Sequence, residues 1–325
     1  MFQTKVTEML NIQYPIMQGG MQILSSAELV AAVSNAGGLG TLVSAMFPTI
    51  EELRQEIRKT KSLTDKPFAV NFTLAPMIRP VNIEEYIDAT IEEGVRIVET
   101  AARSPEPYMK RFKDGGVTVI HKVARTRDAI TAAKVGADIV SVVGYEAGGM
   151  PGLEDITTMV RLPATVNAVK IPVLAAGGIA DARGFLAALA LGAEGIVMGT
   201  RFVVTKECPA HPKAKEWFLN AKETDTMMIV SHTLKDGHRY LRNKPAEEFL
   251  ELETKAATIE EIIPVLAGAK GRIVWEAGDI DAGVASCGQA VGLIHDIPTV
   301  KEVINGIING AKAILEERLY PLVKG

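Results

Sequence analysis

The strongest constraint in this chain is an alternation. Eight short apolar runs, rich in β-branched residues, are separated by stretches with helical spacing. The runs are YPIMQGGM, ending near Gln18, LGTLVSA from Leu39, PFAVNFTL from Pro67, RIVETA from Arg96, TVIHKV from Thr118, DIVSVVG from Asp138, PVLAAGG from Pro172 and GIVMGTRF from Gly195. Between them, residues 25–36, 50–61, 83–93, 106–113, 126–135, 155–169 and 182–191 space their apolar side chains as amphipathic helices do. Ser26 with Glu28, and Asp181 before ARGFLAALALG, read as N-terminal caps. EEG, DGG, VGA and LGA supply glycines at helix C-termini. Near-continuous apolar strands alternating with helices predict a parallel sheet covered on both faces. Eight such units within about 200 residues predict an α/β chain folded as a (β/α)8 TIM barrel rather than a doubly wound sheet.

The pattern changes after Phe202. The region from KECPAHP to about Gly271 is more polar and carries no clear barrel strand. Residues 211–283 are therefore expected to form an inserted, mainly helical cap, and residues 1–210 and 284–325 the barrel, with VKEVINGIINGAKAILEERL returning to it as a helix. A formal charge of −4 without a basic stripe argues against nucleic-acid binding. Two cysteines, Cys208 and Cys287, make neither a disulfide framework nor a CxxC pair. The five histidines lack metal-ligand spacing, so no metal is assigned. His121 is expected to face the core or the helices, and His232 and His238 the cap surface. The N-terminus lacks the apolar core of a signal peptide, and no run is long enough to cross a bilayer. The expectation is a cytoplasmic protein with a small-molecule substrate and no membrane contact, with a homo-oligomer left open.

In such a barrel, ligands bind on the loops that follow the strands. There the chain places QGGM (Gln18–Met21), NFT (Asn71–Thr73), HK (His121, Lys122), GYEAGGMPG, AGGI (Ala176–Ile179) and MGTRF (Met198–Phe202). Glycines after strands seven and eight let backbone N–H groups approach a phosphate. Gly177, Gly178, Gly199 and Thr200 fit that task; tight turns are the alternative. Lys122 ends an apolar strand, where a cation needs an anion or water. It either places positive charge beside a flavin ring, snorkels to the mouth, or pairs with Glu99 or Glu146. Asn71 and Thr73 share one face of their strand, facing either the edge of a ring or a polar layer inside the barrel.

Together PIMQGGM, NFT, VIHK, GYEAGGMPG, LAAGGIADARG and GTRF resemble the nitronate monooxygenase, or 2-nitropropane dioxygenase, family of FMN-dependent barrels. TKECPAHP and GDIDAGVASCGQAVGLI resemble most closely its NAD(P)H:quinone reductase branch. The resemblance implies non-covalent FMN, with NADH or NADPH as co-substrate. By matching motifs, Gly20, Met21 and Gln22 would line the flavin, and Asn71, Thr73 and Lys122 would face its ring or ribityl chain. Ala147 and Gly148 would pass near it, and Ala176, Gly177, Gly178, Gly199 and Thr200 would hold its phosphate. Met150 and Gln289 would border the substrate. The family reads AGGH where this chain reads AGGM. Methionine at position 150 offers neither proton nor base, which disfavours oxidation of neutral nitroalkanes. The resemblance therefore implies an NAD(P)H:quinone-type reductase. The alternatives are a nitronate monooxygenase, a flavin-dependent enoyl-acyl-carrier-protein reductase and a non-catalytic flavin-binding protein.

Overall fold

The computed structural model describes residues 2–74, 82–266 and 268–323. Eight parallel strands, β1 (Ile16–Gln18), β2 (Gly40–Val43), β3 (Phe68–Thr73), β4 (Ile97–Ala101), β5 (Thr118–Val123), β6 (Ile139–Val143), β7 (Val173–Ala176) and β8 (Gly195–Met198), pair in chain order, and β8 pairs with β1. The ring closes where the Gln18 N–H donates to the Leu39 carbonyl and the Leu39 N–H to that of Ile16, each at 2.9 Å. One step further the Gln18 side chain takes over, its Oε1 accepting the Thr41 N–H at 2.9 Å. The expected (β/α)8 barrel is the fold observed.

Inward side chains stack in layers drawn from alternate strands. Met17, Ala69, Ile120 and Leu174 make an apolar layer, and the helix Lys5–Leu10 plugs the barrel floor with Val6 and Leu10. In the strand register, the next layer upward is Thr41, Glu99, Ser141 and Val197, where polar groups begin. Outward side chains such as Leu42, Val70, Phe72 and Val98 pack under the helices on Leu53, Ile57, Ile87 and Phe112. Ser26 and Asp181 cap their helices as expected, Ser26 accepting from Leu29 and Asp181 from Arg183 and Gly184. The helix after β6 starts at Thr158 rather than 155, because the Ile156 carbonyl is engaged by the Tyr145 N–H at 3.0 Å.

Beyond the barrel strands, the helices Pro212–Leu219, Lys244–Thr254, Ile259–Leu266 and Gly268–Ala277 accompany a two-stranded antiparallel sheet, β9 (Thr226–Ser231) and β10 (Asp236–Leu241). This hairpin departs from the mainly helical expectation. Its turn, residues 232–235, ends at Lys235 with φ 55°, and Asp236 and Gly237 already pair in β10. Met227, Ile229, Tyr240, Phe249, Ile262 and Val265 give the region its own core. His238 belongs to that core and not to the surface as expected: only 7% exposed, it stacks on Tyr240 with ring centroids 6.0 Å apart. His232 is exposed. No helix among the described residues is long and apolar enough to cross a membrane.

His121 points outward from β5, hydrogen-bonded through Nδ1 to Thr100 Oγ1 at 2.8 Å and buried. Burial lowers its pKa from 6.5 to about 4. The folded state therefore binds fewer protons than the unfolded chain across that window, and stability falls as pH drops through it. The full effect is on the order of 3 kcal/mol. Thermal unfolding followed from pH 7 to pH 4 should show this loss, and His121→Gln should flatten the dependence.

Candidate active site at the strand C-termini

The loops that leave the C-terminal ends of the strands are tied together before any ligand is considered. After β1, the Gln18 side chain donates to Ser25 Oγ at 2.9 Å, and Ser25 Oγ accepts the Met21 N–H at 2.9 Å. This buried brace sets the path of Gly19–Met21. A Cβ at Gly20 would lie 3.1–3.2 Å from Val43 and Asn71, so the chain runs tight against the barrel rim. Gln22 lies exposed on the following turn, and Met21 is half-buried.

The loop after β6 is the most heavily fixed. Both Glu146 carboxylate oxygens accept the Thr158 N–H, at 3.0 and 3.1 Å, which caps the helix Thr158–Ala168 with an anion. Thr158 Oγ1 lies 3.1 Å from Glu146 Oε2 and 3.0 Å from the Gly177 carbonyl, so its single hydrogen serves one of them at a time. The Glu146 carbonyl accepts the Gln289 N–H at 2.9 Å. A Cβ at Gly148 would lie 2.7 Å from Cys287 and Gly288 backbone atoms, so no larger residue fits there without backbone movement. Gly149 and Arg239 exchange N–H···O bonds of 3.0 and 2.7 Å, tying the loop to β10. The buried Arg239 side chain adds a bond to the Tyr145 carbonyl at 3.1 Å and stacks over the Tyr145 ring at 4.6 Å. Met150, next in the chain, is 51% exposed.

After β7 and β8 the backbone offers donors. Gly177 and Gly178 have φ of 99° and 74°, a conformation that costs a residue with a side chain roughly 1–2 kcal/mol. Among the described residues, no carbonyl accepts the amides of Gly177, Gly178, Gly199 or Thr200. All four residues are half-buried, and Ala176 is buried beneath them. Thr200 Oγ1 accepts the Gly288 N–H at 3.0 Å, which joins the β8 loop to the segment that precedes Gln289. Unpaired amides on adjacent strand ends are donors of the kind that an anion such as phosphate can use.

At the barrel axis, Asn71, Thr73 and Lys122 do share the inward face. The Thr73 hydroxyl donates to Asn71 Oδ1 at 3.3 Å, the Asn71 amide donates to Glu99 Oε2, and Lys122 Nζ lies 3.2 Å from the same oxygen. Of the alternatives for Lys122, pairing with Glu99 is observed. Glu99 is 0% exposed and Lys122 keeps a quarter of its side chain open to the mouth. Both cysteines are buried; desolvation pushes the Cys208 thiol up to about 11 and the Cys287 thiol well above its ordinary value, so neither is a thiolate nucleophile. No three His, Cys, Asp or Glu side chains among the described residues converge as a metal site.

Sequence reasoning missed Gln18, Ser25, Thr158 and Arg239 as organisers of the site. A glutamine inside an apolar strand was the available signal for the first. The bonds of Arg239 depend on a hairpin that was not anticipated.

What the architecture defines is a (β/α)8 barrel with free backbone donors at the C-terminal ends of its strands, and the comparisons supply its family. The sequence profile of the nitronate monooxygenase family matches residues 3–310. The chain belongs to that family and is an FMN-dependent oxidoreductase. It is 35% identical to the (3aS,4S,5R,7aS)-5-hydroxy-7a-methyl-1-oxo-octahydro-1H-indene-4-carboxyl-CoA dehydrogenase of Rhodococcus jostii, over 95% of this chain and 96% of that one. It is 37% identical to a probable nitronate monooxygenase of Staphylococcus saprophyticus, over 69% of this chain and 75% of the relative. The structure of FabK from Thermotoga maritima superposes with a TM-score of 0.90 at 37% identity, covering 97% of this chain and 98% of the other.

Gly177→Ala tests the β7 loop. A Cβ there would meet the Gly144 carbonyl at 3.1 Å and Ala147 at 3.2 Å, on a backbone that disfavours side chains. FMN affinity should fall at least about fivefold, from strain of about 1–3 kcal/mol, as measured by fluorescence titration.

Proposed function

We propose that this chain holds FMN across the barrel mouth and acts as a reductase fed by NADH or NADPH, delivering electrons to a flat, electron-poor acceptor of the quinone type. When bound, the flavin supplies the hydride and electron chemistry that no side chain here can provide. The observation that carries this reading is the set of unpaired amides at Gly177, Gly178, Gly199 and Thr200, over Ala176, which match a terminal phosphate. With the phosphate held there, Gly20, Met21 and Gln22, together with Ala147 and Gly148, would line the rest of the cofactor. Asn71 and Thr73 offer polar atoms to its edge, and Lys122 brings a positive charge that favours the reduced, anionic form.

Met150 and Gln289 border the substrate side in this reading. Hydride exchange between nicotinamide and flavin requires stacking and exclusion of water but no protein base. A methionine at position 150 is compatible with that, and it offers a polarisable apolar contact to an aromatic acceptor. Removing a proton from a neutral nitroalkane does require a base, a contribution typically worth about 10²–10⁴-fold in rate. Ionised nitronates need none and remain candidate substrates.

A second reading, with an acyl thioester as the acceptor or donor of hydride, has its own support. The relative named for a carboxyl-CoA substrate matches from end to end, whereas the probable nitronate monooxygenase is matched over three quarters of its length.

Anaerobic mixing with NADH and with NADPH should bleach the bound flavin with at least one of them. A flavin that stays oxidised with both contradicts the proposal. The reduced enzyme is then offered a quinone or an enoyl-CoA without oxygen, the oxidised enzyme is separately mixed with propionate 3-nitronate and oxygen, and the fastest reoxidation or turnover identifies the substrate class. Met150→His should raise activity on neutral nitroalkanes by one to two orders of magnitude and leave nitronate oxidation nearly unchanged. Equal effects on both would remove position 150 from any base role.

A further inference from the structure

Glu99 is the least expected charge in the molecule. It sits on β4 within the barrel, 0% exposed, in the layer it shares with Thr41, Ser141 and Val197. The layer directly beneath it, Met17, Ala69, Ile120 and Leu174, is apolar. One of its oxygens, Oε2, meets Lys122 Nζ at 3.2 Å and the Asn71 amide. Among the described residues the other, Oε1, has no partner, and neither do Thr41 Oγ1 or Ser141 Oγ in the same layer. Burying a carboxylate this way is costly, and a buried ion pair with one free oxygen is a poor source of fold stability compared with an apolar replacement. Three unpaired polar atoms facing one axial space also make a site for an ordered water, which would complete their hydrogen bonds. The arrangement is explained by what it does to Lys122. A lysine on a flexible four-carbon stem would otherwise reach out to solvent at the mouth. The carboxylate below draws the ammonium back to the barrel axis.

We propose that Glu99 is the positioning residue that holds the Lys122 ammonium at the barrel axis beneath the cofactor, and that this pair sets the field in which the bound flavin is reduced. The inference rests on the FMN reading above. Asn71 is part of the device: its amide fixes the Glu99 oxygen that Lys122 meets, and its Oδ1 holds Thr73. The pair is close to neutral as a unit, so removing either member changes the charge beneath the ring, and with opposite sign. With glutamine at position 99 the side-chain oxygen still accepts from Lys122, so the ammonium stays at the axis but is uncompensated and favours the anionic reduced flavin. Without the ammonium the carboxylate disfavours it.

The test is the midpoint potential of the bound flavin in Glu99→Gln, Lys122→Gln and the double variant, after FMN uptake has been confirmed by absorbance. Glu99→Gln should shift the potential positive and Lys122→Gln negative. Each shift should be at least about tenfold in the ratio of reduced to oxidised flavin, about 30 mV for a two-electron couple, as expected for an unscreened charge a few ångströms away. The double variant should return toward the wild-type value. A merely structural role would move both single variants in the same direction, and that result, or no shift in either flavin-loaded variant, overturns the proposal. Should Glu99→Gln fail to fold, Glu99→Asp, which keeps the charge but withdraws the oxygen that meets Lys122, takes its place: a shifted potential in the flavin-loaded variant supports the proposal and an unchanged one overturns it. A wild-type chain that takes up no FMN contradicts the functional reading instead.

Discussion

Eight parallel strands closed into a ring bring all their C-terminal ends to one rim, where the ladder stops and backbone donors are left to find other partners. In this chain, side chains and loops satisfy most of that rim. Gln18 closes the ring where backbone pairing ends, the Glu146 carboxylate caps the helix that follows β6, and β10 pairs with Gly149. Among the described residues, the amides without a carbonyl partner include those of Gly177, Gly178, Gly199 and Thr200, after β7 and β8. These free donors follow from the topology, and glycine is what permits a ligand to come near them.

The barrel interior changes character along its axis in a way that separates folding from chemistry. The lower layers are aliphatic and sealed by the helix Lys5–Leu10. The upper ones carry Thr41, Glu99 and Ser141, then Asn71 and Lys122. Apolar burial at about 25 cal/mol per Å² favours the first group. The second group weakens the core by leaving oxygens unpaired. Such a local conflict between stability and side-chain choice is expected where a site has to be polar. The region from 212 to 277 adds a further constraint from outside, because the hairpin supplies Arg239, which fixes the β6 loop through both its main chain and its side chain.

Much of this was legible in the sequence, for physical reasons. The strands are short apolar runs bounded by glycine and polar residues, and the helices carry side-chain caps, so each element announces its own limits; Ser26 and Asp181 are examples. The β9–β10 hairpin was not legible, because the polar region around it reads as helical and its turn, residues 232–235, contains no glycine or proline to mark it. With the hairpin went the burial of His238 and the role of Arg239. Glu99 was visible as a charge in an apolar run, but its depth depends on register and barrel closure, which no single strand encodes. Where Met21 and Ala147 stand relative to a ligand depends on loop geometry in the same way.

The account depends on the amides after β7 and β8 gripping a phosphate. Titration of the cofactor-free protein with FMN and with riboflavin, which differ only in that group, tests it most directly. Charge-assisted hydrogen bonds of about 1.5–3 kcal/mol each predict that FMN binds at least about a hundredfold more tightly. Equal affinity for the two would contradict the account.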